Sequence, residues 1–193
     1  MAKILGNFHL ALLIGVLLLV AAMVGLHRGH MDAVYWAIFA RYLHIFAGVL
    51  WIGLLYYFNF VQIPTMPKVP AELKPGVSKY IAPVALFWFR WAAVATVVIG
   101  LILAELISPG YTMNAFKLEP GARTIGIGMW LGLIMALNVW LVIWPNQKRA
   151  LGLVPVDDAR KASSASLAMM ASRTNLILSI PMLYCMVTGA HLG

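Results

Sequence analysis

"ILGNFHLALLIGVLLLVAAMVGL", residues 4–26, contains no charged side chain, and its strongly polar members, Asn7 and His9, lie together near one end. The hydrocarbon core of a bilayer is about 30 Å thick and an α-helix rises about 1.5 Å per residue, so about 20 apolar residues suffice to cross it. The run is long enough, and it reads as a membrane-spanning helix. It resembles a cleaved leader only superficially. One lysine, Lys3, precedes it, and it runs on into "GLHRGHMDA", residues 25–33, instead of a small-residue cleavage pattern.

The same test finds four further runs, about Tyr42–Gln62, Ile81–Ile107, Ile125–Trp144 and Asn175–Leu192. Hydrophobic residues make up 63% of the 193 and charged residues 10%, and the mean hydropathy is +0.90. No soluble domain of this size tolerates such a composition on its surface. The expected fold is therefore all-α, a polytopic integral membrane helical bundle of five transmembrane helices forming one domain over residues 1–193. Strands of a membrane barrel are about ten residues long and alternate strictly, which these runs do not.

The net charge of +8 reports topology. The cations flank helix ends instead of forming a soluble basic face, so no nucleic-acid partner is expected. With the amino terminus inside, Lys3, Lys68, Lys74, Lys79, Lys148, Arg149, Arg160, Lys161 and Arg173 share one side, and Arg28, Arg41, Lys117 and Arg123 the other. The positive-inside rule then predicts a cytoplasmic amino terminus and a periplasmic carboxyl terminus. Arg90, within the third run, is expected to snorkel toward the cytoplasmic face.

"IPTMPKVPAELKPG", residues 63–76, carries four prolines and is expected to interrupt the helix. The outer loop "SPGYTMNAFKLEPGAR", residues 108–123, is similarly punctuated, and neither loop can house a soluble catalytic domain. After the fourth run, "PVDDARKASSASLAMMASRTN", residues 155–175, offers helix-start signals at Asp157 and Asp158 and an i,i+4 pair of Asp157 with Lys161. A helical extension over about 157–174 is expected to continue into the fifth span, with a kink at Pro181. Gly128, Gly132 and Ala136 form a small-residue stripe, suited to packing within the bundle or to docking a second copy or a larger membrane complex. Trp36, Trp88, Trp91, Trp140 and Trp144 fall near span ends, as interfacial anchors do.

"RYLHIFAGVLWIG", residues 41–53, places His44 at the mouth of an apolar run. By the predicted spans, His44 and His191 lie near the outer face at one level, with His27 and His30 in the outer loop between the first two helices. Two imidazoles from different helices are what a six-coordinate haem b requires, with arginines for its propionates. The candidate cofactor-binding residues are thus His44 and His191 as axial ligands, with His27 or His30 as a substitute. Arg41 and Arg28 would meet propionates, and Gly48 and Trp51 lie one and two turns beyond His44 on its helical face. Imidazole also ligates iron and copper ions, so His44, His191, His30 and His27 are equally the candidate metal ligands. The plainer alternative has His44 bonding a carbonyl inside the bundle. His9, Asn138, Asn175 and Ser179 are expected to serve packing and interhelical hydrogen bonds. Cys185 is the sole cysteine, which excludes an internal disulfide, a cysteine-rich metal centre and c-type haem attachment.

Four stretches carry a resemblance: "RYLHIFAGVLWIGLLYYF" (41–58), "LFWFRWAAVATVVIGLIL" (86–103), "IMALNVWLVIWPNQKRAL" (134–151) and "RTNLILSIPMLYCMVTGAHLG" (173–193). Together they resemble the membrane domain of the bacterial membrane-bound urate oxidase (urate hydroxylase) family. Its fuller members have more transmembrane helices and a carboxyl-terminal cytochrome c domain. The resemblance implies a helical protein of the bacterial inner membrane that passes electrons from a small reductant or quinol to a separate periplasmic cytochrome c. It implies functional roles for Arg41 and His44, and an approximate match at His191. The chain departs from the family where Arg90, Trp91 and Ala92 replace Lys-Trp-Glu, and where Arg173, Thr174 and Asn175 replace a histidine before Asn-Asn. Those departures favour a second expectation, a non-catalytic accessory subunit of a larger respiratory or photosynthetic membrane complex. A transporter is a weaker third, since no paired broken helices are evident.

Overall fold

The computed structural model describes residues 2–189 and 191; Leu192, the expected end of the fifth span, lies outside them. The fold is all-α, with 85% helix and no strand among the described residues. Four helices are long and apolar enough to cross a membrane: α1 (Phe8–His27), α2 (Ala33–Lys68), α3 (Lys74–Ile107) and, after the short α4 (Tyr111–Phe116), α5 (Arg123–Ala150). A fifth long helix, α6 (Asp158–Gly189), does not reach that apolarity, which corrects the expected count of five. The chain divides between Phe39 and Ala40 into two compact units.

In the first unit, α1 begins later than its hydropathy suggests. Asn7 is extended and its side-chain oxygen accepts the Leu10 N–H at 3.2 Å, an N-cap that starts the helix at Phe8 instead of Ile4. None of the residues of α1 is buried. Asp32 caps α2 in the same way, accepting the Tyr35 N–H at 2.9 Å.

In the second unit the proline-rich stretch interrupts less than expected, because α2 runs through Pro64 and Pro67 to Lys68. A wide π turn, Tyr57–Gln62, makes this possible. Proline lacks an N–H and its ring crowds the carbonyl four residues back, which an ordinary helix cannot accommodate. Here Ile63 N–H bonds five residues back, to Phe58, and the widened turn precedes the proline. The same device recurs. The π turn Val77–Ile81 precedes Pro83, with Ala82 N–H on Val77, and Val139–Ile143 precedes Pro145, with Trp144 N–H on Val139.

The core of this unit brings together Trp51, Leu55 and Phe58 of α2 with Phe89 of α3 and Met135 and Val139 of α5. Phe58 and Phe89 meet edge to face with ring centres 5.6 Å apart. The stripe Gly128, Gly132, Ala136 is buried, and Gly128 packs on Cys185 and Met186 of α6. It is thus used within the chain, where small residues let two backbones approach.

Helix α6 begins with Asp157, whose carboxylate accepts the Arg160 N–H at 2.7 Å; it acts as an N-cap, not through the expected ion pair with Lys161. The helix then runs unbroken through Pro181. Its polar residues point inward. Asn175 and Ser179 are 0% exposed, whereas Ile177 and Ile180 are 69% and 65% exposed. Asn138 donates to Asn175 Oδ1 (2.7 Å) and to the Ala171 carbonyl (2.9 Å), and Asn175 Nδ2 donates to the Met135 carbonyl (3.0 Å). Tyr56 and Ser179 hydroxyls pair at 3.2 Å, and Asn59 donates to the Ser172 hydroxyl at 2.9 Å. This seam ties α6 to α2 and α5, the interhelical role expected of Asn138, Asn175 and Ser179.

Arg90 covers Trp144 of α5, the ring that Lys148 also approaches. It is 9% exposed, and its guanidinium carbon lies 3.3 Å from the centre of the Trp144 ring. The aromatic faces of α5 hold the guanidinium by cation–π contact.

Candidate cofactor site around His44

Helix α2 carries His44, Gly48 and Trp51 on the side that faces α3. His44 is half-buried, and its Nδ1 lies 2.8 Å from the Thr96 carbonyl. A carbonyl only accepts, so Nδ1 carries a proton, and in the neutral ring Nε2 is the unprotonated nitrogen. Thr96 closes its own turn, its hydroxyl donating to the Ala92 carbonyl at 2.7 Å. The imidazole packs against α3 at Gly100, where an added Cβ would stand 2.8 Å from its Cε1 and 3.0 Å from its Nδ1. Gly100 is therefore the glycine on which the site depends. Gly48 has ordinary clearance, its would-be Cβ lying 3.8 Å from Thr96 Cγ2.

Thr96 and Gly100 precede Ile107, the end of α3, by eleven and seven residues, roughly 16 and 10 Å of helix. The imidazole thus packs about two to three turns before the end of α3. Trp51 is 1% exposed, packed into the core, and its Nε1 has no hydrogen-bond partner. It forms a wall of the core. Arg41 is exposed on the turn before His44.

The remaining candidates are distributed. His191 is exposed in the turn after α6, its N–H bonded to the Thr188 carbonyl at 3.0 Å. No bond or ring contact joins it to His44 among the described residues. His27, Arg28 and His30 belong to the first unit and are exposed there; the His27 ring stands 5.7 Å from that of Tyr35. Exposed His9 stacks edge-on against Phe8. Among the described residues no three His, Cys, Asp or Glu side chains converge as a bare ion's ligands do. Haem makes a smaller demand, since it brings four equatorial nitrogens and asks the protein for one or two axial ones. An imidazole anchored through Nδ1 with Nε2 left as the donor fits that demand, because the partner on the second nitrogen fixes tautomer and ring orientation.

Gly100→Ala tests the packing. A methyl group there collides with the ring, so His44 must rotate away and lose the Thr96 bond. We expect destabilisation of about 1–2 kcal/mol, read as a lower midpoint of detergent-solubilised unfolding. Gly48→Ala is expected to leave that midpoint nearly unchanged.

Two features escaped the sequence. One is a cavity of about 190 Å³ toward the other end of α2, lined by Gln62, Met66, Leu86, Gln147, Ala168 and Ser172. The buried Gln62 Oε1 has no donor. The other is the aromatic setting of Arg90, since an arginine among tryptophans in a linear sequence does not disclose which ring it will cover. Comparison with known protein families, with curated proteins and with solved structures finds no match to this chain.

Proposed function

We propose that the chain is a polytopic redox protein of the bacterial inner membrane that binds haem b through Nε2 of His44. The observation that carries this reading is the 2.8 Å bond between His44 Nδ1 and the Thr96 carbonyl. It orients the imidazole and leaves the ligating nitrogen unprotonated. Haem b, when bound, supplies a one-electron couple. His191, exposed in the turn after α6, is the second ligand of this reading, and Arg41 is the propionate partner on the turn before His44. Electrons then pass from a quinol or small reductant to a periplasmic cytochrome c.

The membrane reading has its own support. Helices α1, α2, α3 and α5 have the length and apolarity to span. The cation distribution places the amino terminus in the cytoplasm and the carboxyl terminus in the periplasm.

The test is a reduced-minus-oxidised visible difference spectrum of detergent-purified protein, with haem quantified per chain. The expected result is a b-type spectrum at about one haem per protein. Haem-free protein from haem-replete cells would overturn the redox reading and favour the accessory-subunit alternative.

A further inference from the structure

We propose that Arg90, Trp144 and Lys148 form a binding site for the phosphate of an anionic lipid headgroup. Arg90 is 9% exposed, yet its sealed Nε and Nη1 have no hydrogen-bond partner. Its charge is met only by aromatic faces, Trp144 at 3.3 Å and Trp140 at 5.7 Å from ring centre to guanidinium carbon. Cation–π contact offsets part of the cost of desolvating a guanidinium but satisfies none of its five N–H donors. The chain has six acidic residues, and none of them pairs with Arg90. Glu105 accepts the backbone N–H groups of Gly110 and Thr112, and Asp32 and Asp157 cap helices. The missing acceptor therefore comes from outside the chain.

The surroundings select a phosphate held at the membrane interface. Lys148 lies one turn beyond Trp144, its Nζ 5.6 Å from the centre of the same ring, so two cations share one indole. Trp91 stands edge-on to Trp140 at 5.5 Å, and Trp88 and Trp91 are exposed, as interfacial tryptophans are. Lys68, Lys74, Lys79 and Arg149 lie near the same helix ends, which attracts an anionic surface. Nη2 is the guanidinium nitrogen not sealed by packing. A phosphate oxygen approaching from the headgroup layer reaches Nη2 first, with the Lys148 ammonium as its second donor. Arginine suits this role because its fork matches phosphate geometry.

The experiment is native mass spectrometry of the full chain in mixed micelles containing equal phosphatidylglycerol and phosphatidylcholine. Wild type is expected to retain phosphatidylglycerol over phosphatidylcholine by roughly tenfold, Arg90→Gln to lose that preference, and Lys148→Gln to reduce it several-fold. Lys68→Gln, which removes an exposed cation at the same end, is expected to leave it intact. The Lys148→Gln arm decides the matter should Arg90→Gln fail to fold. An unchanged preference in Lys148→Gln, or an equal loss in Lys68→Gln, overturns the site. Abolition of the preference by millimolar inorganic phosphate overturns the lipid assignment in favour of a free anion.

Discussion

Replacing Gly126 by valine is expected to cost about 3 kcal/mol, at the upper end of overpacking effects, and to detach α4 from α5. Gly126 is buried at the start of α5, and any Cβ there runs into the carbonyl of Ala115 and the Leu118 side chain. Because the obstacle is backbone, no rotamer change relieves it, and α4 must move. That helix is held by few bonds. Glu105 accepts the Gly110 and Thr112 N–H groups at 2.9 and 3.3 Å, and Trp130 Nε1 donates to the Phe116 carbonyl at 3.1 Å. The Trp130 and Phe116 rings also meet with centres 5.2 Å apart. The variant should therefore show altered tryptophan emission together with a lower unfolding midpoint in detergent. Gly132→Ala is the matched control, since no heavy atom lies within 4 Å of its would-be Cβ. Equal midpoints for Gly126→Val and wild type would show that α4 is not packed where described.

Asn175→Leu is expected to cost about 2 kcal/mol, because it removes two interhelical hydrogen bonds and leaves a donor of the half-buried Asn138 without its partner. Asn175 is 0% exposed and holds Asn138 at 2.7 Å and the Met135 carbonyl at 3.0 Å. Asn138 keeps its bond to the Ala171 carbonyl, which limits the loss. A double-mutant cycle with Asn138→Leu isolates the pair, and a coupling energy of about 1 kcal/mol is expected. Strictly additive losses would mean that the two amides do not act together.

The helices were legible in the sequence where composition alone decides, as in α1 and in the apolar middles of α2, α3 and α5. Their ends were not. Asn7 moves the start of α1 inward through a side-chain bond, and the π turns carry α2, α3 and α5 across prolines that ordinarily stop a helix. The polar face of α6 was likewise hidden, since a linear sequence does not disclose that Asn175 and Ser179 face the core. At the candidate site, His44 was recognisable as an ionisable group in an apolar run. The residues that orient it were hidden. A backbone carbonyl at Thr96 has no sequence signature, and nothing marks Gly100, among other glycines of the spans, as the one a ring will touch. The setting of Arg90 was hidden for the same reason, since its partner Trp144 is distant in sequence.

Whether His44 is a ligand or only a packing residue is tested most directly by the difference spectrum of His44→Ala with and without free imidazole. Removing the side chain leaves a space the size of the missing ring beside Gly100 and Thr96. The account predicts that the b-type spectrum is lost in the variant and returns when imidazole supplies the absent nitrogen. A haem spectrum that survives the substitution, or one whose loss imidazole does not reverse in a protein with wild-type helix content, would contradict a ligand role for His44.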